Sequence, residues 1–262
     1  MTDPNTSSGS CRPAALVVAH PGHELVLHGW LETSRPHVFV LTDGSGRSGV
    51  SRLGSTRTIL ERAGAFPGEI FGTCPDRRLY EALVSGETSF FLGLAERLAA
   101  AIVSGSIEMV VADSAEGYNP AHDVCRLVAD AAVRAATARG RVVTSWDFPL
   151  TRPAADDPPG ALRFVLDDAA LARKRVAAES YSEMRFEVET ALAHGGPEAY
   201  RIETLRPIDP NAEPFLFGGA VPEYEAFGER RVTAGRYERV IRLREHLLPV
   251  AEALGAARPV AG

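Results

Sequence analysis

Three histidines could do chemistry together. His20 and His23 share the turn Ala19-His20-Pro21-Gly22-His23-Glu24, and His122 stands far along the chain in Gly117-Tyr118-Asn119-Pro120-Ala121-His122-Asp123. Neutral imidazole is a ligand for zinc and its neighbours. Three such ligands with a fourth place left for water make an open catalytic centre. The His-x-x-His spacing is a weak signal by itself, because unrelated core and surface histidines also fall into it. Position strengthens it. Each group follows a short apolar run, Leu16 to Val18 and Met109 to Ala112, and each opens a segment of helical period. An α/β fold sets polar ligands in such places, at the carboxyl ends of neighbouring strands. Cys125 lies one helical turn beyond His122. It reads first as a small buried apolar residue, with a ligand role as the alternative.

On these residues the chain resembles the LmbE-like (PIG-L) family of zinc-dependent N-deacetylases. That family opens with Ala-His-Pro-Asp-Asp-Glu after its first strand and later carries a His-Pro-Asp-His-type motif. The matching stretches here are Ala19 to Glu24 and Asn119 to His122. The resemblance implies metal ligands at His20, His23 (for an Asp) and His122, with Zn as the metal and another divalent transition metal as the alternative. Gly22 stands where the family has its general-base Asp, and Asn119 where a His assists the oxyanion or leaving group. Thr42-Asp43-Gly44 is similar to a Thr-x-Gly loop beside the metal. Arg52 occupies the place of an Arg that reaches towards substrate, and Lys174 to Tyr181 echoes a Lys-x-x-Ala-x-x-x-Tyr run.

Three neutral imidazoles leave the full double charge on a bound cation, so its water should lose a proton near pH 7 and depend less on an adjacent base. Protons must still move, and Asp123, Asp43 and Glu116 are the candidate carriers. Asp43 reads equally as a turn residue bonding its own loop. Glu24 is suited to orienting the turn, accepting from backbone N–H groups or a ligand ring. Tyr118 or Asn119 is a candidate donor to an oxyanion, a contribution of about 3 kcal/mol. The function expected is a metal-dependent hydrolase that removes an N-acyl group from an amino sugar or similar small polar metabolite by a metal-bound hydroxide. Two alternatives stay open. Because Gly22 and Asn119 replace both usual proton handlers, the scaffold could serve a lyase, transferase or redox metalloenzyme. It could also serve a non-catalytic ligand-binding relative.

These residues need a scaffold of alternating strands and helices. The apolar runs predict strands over Ala14–Ala19, Val38–Leu41, Ile70–Gly72, Ile107–Ala112 and Val142–Trp146. The helical periods predict helices over Glu24–Thr33, Ser51–Ala65, Asp76–Leu83, Ser89–Ser104 and His122–Arg139. The fold expected is α/β, a doubly wound, Rossmann-like and mostly parallel sheet of about five strands with helices on both faces. No G-x-G-x-x-G follows the first strand, and no P-loop pattern is present. His28 reads as a packed core histidine. Arg77-Arg78 with Tyr80 could face an anionic substrate or simply water. Residues Thr151–Ala161 read as a loop, Asp167–Ala193 as a long helix, Tyr200–Leu205 as a strand and Tyr237–Leu254 as a helix that Pro249 should kink or end. The domain division is then a disordered lead-in over 1–13, a metal-binding core over 14–150 and a C-terminal α+β extension over 151–262.

Composition sets the outer bounds. With 262 residues, 45% hydrophobic and 24% charged, the chain suits a globular domain with a sizeable core. A net charge of -6 argues against a nucleic-acid partner. No apolar run reaches the roughly 20 residues of a membrane span. Cys11, Cys74 and Cys125 are odd in number and widely spaced, which argues against a disulfide framework. Met1–Pro13 has no basic start or apolar core, so a cytoplasmic location is expected. The expected partner is a small-molecule substrate, with no membrane, and with homo-oligomerisation left open.

Overall fold

The computed structural model describes residues 12–46, 48–151, 157–185, 188–189, 196–215 and 220–255. The expected lead-in over 1–13 lies almost wholly outside them, as does the far end of the helix expected to reach Ala193. The organising strand is β1, Ala14–Val18, which is buried along its whole length. Its alternate residues serve two separate apolar layers. Ala15 and Val17 join one with Phe91, Leu98, Val124 and Val128; Leu16 and Val18 join another with Trp30, Leu31 and Leu60. That is the period-two pattern of a strand covered by helices on both faces.

Four further strands run parallel to it. β2 (His37–Thr42) and β4 (Met109–Asp113) flank β1, β3 (Phe66–Cys74) lies outside β2, and β5 (Thr144–Phe148) lies outside β4. The expected count of about five strands is corrected by the C-terminal third, which adds two. β6 (Leu162–Val165) and β7 (Ile202–Ile208) pair antiparallel, and β7 pairs antiparallel with β5. The result is a seven-stranded mixed sheet of order β3-β2-β1-β4-β5-β7-β6. The strand β6 follows a proline-rich stretch and is only four residues long, so it carries too little alternation to be read from sequence.

Helices α1 (His28–Ser34), α2 (Leu53–Ala63), α3 (Asp76–Val84), α4 (Thr88–Ser104) and α5 (Pro120–Ala138) connect the parallel strands, and α6 (Asp168–Ser180) follows β6. The segment expected as one helix from Glu24 is a 3-10 turn over His23–Leu27 leading into α1. The C-terminal helix is also shorter than expected. It comprises a π turn at Leu243–Leu247 followed by an α segment at Leu248–Ala253. Pro249 sits in the first turn of that segment, where its missing N–H has no partner to lose, so it neither kinks nor ends the helix. A helix over Glu223–Thr233 was not legible in the sequence. Among the described residues no helix is long and apolar enough to cross a membrane.

Candidate metal centre

The end of β1 presents His20 and His23, and the first turn of α5 presents His122. The structure brings all three together. Ring centroids are 5.5 Å apart for His20 and His23, 5.5 Å for His20 and His122, and 4.5 Å for His23 and His122. Imidazoles sharing one tetrahedral ion, each nitrogen about 2 Å from it, have ring centres about 5 Å apart. The rings therefore converge at the right scale without forming a finished cage. Among the described residues no three His, Cys, Asp or Glu side chains stand ready to hold an ion as placed.

Hydrogen bonds fix what each ring has left to offer. Thr42 donates its hydroxyl hydrogen to the Ala19 carbonyl at 2.9 Å, so towards His20 Nδ1, also at 2.9 Å, it can only accept. Asp76 Oδ1 accepts from the same Nδ1 at 3.0 Å. His20 Nδ1 therefore carries the hydrogen and Nε2 keeps its lone pair. Both oxygens of buried Asp113 meet His23 Nδ1, at 3.0 and 2.9 Å, and fix the same tautomer. Asp113 also accepts from the Ala19 N–H at 2.8 Å, so one carboxylate ties the ends of β1 and β4 together. His122 Nδ1 is buried with no hydrogen-bond partner, an uncompensated polar atom beside two oriented rings. The chemistry of this donor set fits a divalent cation of zinc's kind: three imidazoles, two of them with Nδ1 hydrogen-bonded to a carboxylate and Nε2 left as an acceptor, and a third with a buried nitrogen lacking a partner.

The electrostatics agree with these roles. Burial opposes charge on His23, but Asp113 outweighs it and holds the ring's pKa above its ordinary value. Burial, reinforced by the neighbouring His23 and His20, holds His122 well below its ordinary value and hence neutral. Against the cost of burial, His20 and the Gly46 N–H hold Asp76 well below the usual carboxylate range.

The remaining residues named from sequence fall as follows. Glu24 is fully buried and accepts from the Gly22 N–H at 2.7 Å, bracing the turn, while its Oε1 has no partner. Asp43 accepts from the Ser45 N–H at 2.9 Å within its own loop. Glu116 accepts from the N–H groups of Leu150 and Thr151. Asp123 is fully buried, takes the Gly117 N–H at 3.2 Å on Oδ1 and leaves Oδ2 without a partner. Burial pushes its carboxyl up to about 7. Asn119 caps α5 by accepting from the Ala121 N–H at 2.9 Å, and Tyr118 is half exposed. Arg52 precedes α2, and its charge is felt at His23. Cys125 is buried, with Sγ 3.6 Å from the Val17 carbonyl, and is free. His28 is buried like a core residue, but its Nδ1 has no partner. Arg77 and Arg78 pair with Glu81 and Glu87 at the surface, whereas Tyr80 turns inward to Asn119.

Sequence reasoning missed the two carboxylates that orient the rings. Asp113 was legible in principle as an acid ending a buried strand beside β1. Asp76 was not, because only the β3-β2-β1 order brings the start of α3 to His20. It also missed Met184. Gly22 has φ +107, and a Cβ there would fall on the Met184 thioether. The position that the resembled family gives to an Asp is thus closed by a left-handed backbone and an apolar side chain.

Comparison by sequence finds no matching family model and no matching curated protein. Comparison by structure finds deacetylases. The A40926 pseudoaglycone deacetylase Dbv21 aligns with a TM-score of 0.46 and 18% identity, covering 77% of this chain and 98% of its own. A zinc-inhibited form of the teicoplanin deacetylase Orf2 aligns at 0.44 and 15%, covering 74% and 97%. A deacetylase–teicoplanin complex aligns at 0.43 and 17%, also covering 74% and 97%. At these scores the likeness is distant, and the functional reading rests on the site itself.

Proposed function

We propose that the chain is a metal-dependent amidase that removes an N-acyl group from an amino sugar or a similar small polar metabolite. One observation carries this reading. Three imidazoles from the ends of two adjacent strands converge, and the two at the β1 end are locked by buried or half-buried carboxylates into the tautomer a cation needs. His20, His23 and His122 would hold the cation, oriented by Asp76 and Asp113. A divalent ion there supplies Lewis acidity towards the amide carbonyl and lowers the pKa of water enough to make a nucleophile near neutral pH.

The protein's own groups supply the rest. Asp123 is the proton-handling residue, because its carboxyl changes charge near neutral pH and its Oδ2 has no partner. Glu24 holds the His20–His23 turn in shape through the Gly22 N–H. Arg52 places a cation beside the rings and suits a hydroxyl or anionic group on the substrate. The test is to load the purified protein with zinc and assay a panel of N-acetyl amino sugars for acetate release, with His122→Ala as control. Release by the native chain and not by the variant supports the reading. Tight zinc binding with no acid released from any N-acyl amine refutes it.

The closure of Gly22 by Met184 favours a second reading, a metalloenzyme of another class on this scaffold. An all-imidazole set also suits iron, copper or nickel. Stoichiometric iron or copper in protein purified without added metal would select it.

A further inference from the structure

Helix α3 touches the candidate centre twice. Asp76, its first residue, holds His20 Nδ1 at 3.0 Å. Tyr80 lies one turn further on the same face and donates its hydroxyl to Asn119 Oδ1 at 3.2 Å. Asn119 caps α5 three residues before His122, so its amide lies at the end of the sheet where the three rings converge. Asn119 Oδ1 already accepts from the Ala121 N–H at 2.9 Å. The Ala121 N–H can only donate, so a flipped amide would set its NH2 against that N–H, and the Tyr80 hydroxyl adds a second bond to the same oxygen. The amide is therefore held in one orientation. Its Nδ2 hydrogens make no hydrogen bond among the described residues, which leaves a fixed donor without a partner at the mouth of the centre.

We propose that Tyr80 is a positioning residue: its hydroxyl locks the Asn119 amide so that Nδ2 donates to the substrate's acyl oxygen as that oxygen gains negative charge. This rests on the amidase reading and names the residue that makes Asn119 serviceable in it. The Ala121 N–H alone already selects Oδ1 as the capping atom, and the Tyr80 hydroxyl adds a second bond on that oxygen which restrains the remaining swing of the amide plane. The Tyr80 ring is partly buried against the apolar layer that includes α4, so the hydroxyl is delivered from a packed base. A donor aligned in advance costs no reorganisation when charge develops.

The test uses the zinc-loaded full chain with acetohydroxamic acid, a small probe whose oxygens stand in for the acyl oxygen near the ion. Its dissociation constant is measured for the native chain, Tyr80→Phe, Asn119→Ser and the double variant, beside the zinc dissociation constant of each. Phenylalanine keeps the ring, and serine keeps a helix cap while removing the amide. The expected result is a weakening of the probe by about 5- to 10-fold in each single variant, no further weakening in the double, and zinc affinity within 2-fold throughout. Independent, multiplying losses overturn the proposal, as does a Tyr80→Phe variant that binds the probe normally. A zinc loss matching the probe loss assigns Tyr80 a merely structural role and also overturns it. A native chain that binds no zinc fails the amidase reading itself and takes this inference with it, an outcome visible before any variant is made.

Discussion

The buried pair Lys174–Glu203 gives the sharpest quantitative prediction, and it needs no substrate. Glu203, on β7, accepts from the N–H groups of Gly29 and Trp30 at 2.9 and 2.8 Å, capping the helix that follows the His20–His23 turn. Lys174, on α6, donates to Glu203 at 2.8 Å and to the Val26 carbonyl at 2.7 Å. Their side chains are 3% and 0% exposed, so water offers neither charge a substitute. Glu203→Gln keeps the shape and strands the lysine. Burial already pushes the Lys174 pKa down, against the pull of Glu203, and with the carboxylate gone the ammonium should give up its proton on folding. Holding neutral a lysine whose unfolded pKa is about 10.4 costs about 4 to 5 kcal/mol at pH 7 and about 2 kcal/mol at pH 9. The sign follows from linkage. The unfolded variant binds the extra proton, so its stability rises with pH by about 1.4 kcal/mol per unit up to the unfolded pKa. Equilibrium urea denaturation of native and variant chains at pH 7, 8 and 9 reads this directly. Adding Lys174→Met should recover much of the loss. A loss under about 1 kcal/mol at pH 7, the value of a solvated surface pair, or a loss that does not change with pH, would refute the reasoning.

Other consequences follow from the same structure. Asp113→Asn removes the negative charge and one of the two acceptor oxygens that meet His23 Nδ1, so zinc affinity should fall by about 10- to 100-fold while an exposed control such as Glu96→Gln leaves it unchanged; a competition titration with a chromophoric chelator decides. Gly22→Asp, which restores the residue of the resembled family, should destabilise the chain by about 1 to 3 kcal/mol through its left-handed φ, and more where Met184 cannot move; Met184→Ala should return part of the loss in thermal unfolding. In metal-free protein the Asp123 carboxyl, raised by burial to about 7, keeps a proton that the unfolded chain has lost. That stability is complete below about pH 4 and is lost as pH rises through about 7. Asp123→Asn should flatten this stretch of the stability–pH curve, and an unchanged curve would show that the carboxyl ionises freely.

The parts of the fold that were legible are those whose signal is local. The β1 run, buried on both faces, and α4, with Phe91, Leu94, Leu98 and Ile102 at helical spacing, each declare themselves within a dozen residues. That the three histidines come together was legible for the same reason, since both strand ends carry them next to the apolar run that places them. What was not legible depends on order in space. That β7 turns back antiparallel against β5 cannot be read from Ile202–Ile208 alone. Lys174 and Tyr181 were read only as an echo of a family run, and in the structure they hold the C-terminal third to the core. Lys174 pairs with Glu203, and Tyr181 bonds Thr56 at 2.9 Å on α2.

The carboxylates behind the rings also change the electrostatics expected from sequence. Three bare imidazoles would leave a cation its whole double charge and make its water strongly acidic. Here Asp76 lies 3.0 Å from His20 and Asp113 lies 2.9 Å from His23, one ring removed from where those histidines would hold a cation. Two negative charges beside a double positive one leave the assembly near neutral. Such carboxylates would raise the basicity of the ring nitrogens and strengthen their hold on a cation. They would also weaken the field of that cation on a water, so the proposed chemistry should turn on at higher pH than an unbacked trio would give. If His23 holds the cation as proposed, the negative charge of Asp113 stands back by one imidazole and is not removed. The need for a proton carrier such as Asp123 returns with that charge. Replacing Asp113 with Asn should lower the pH at which the zinc-loaded chain turns on even as it loosens the zinc, and a shift of the pH–rate profile in the opposite direction would contradict this account.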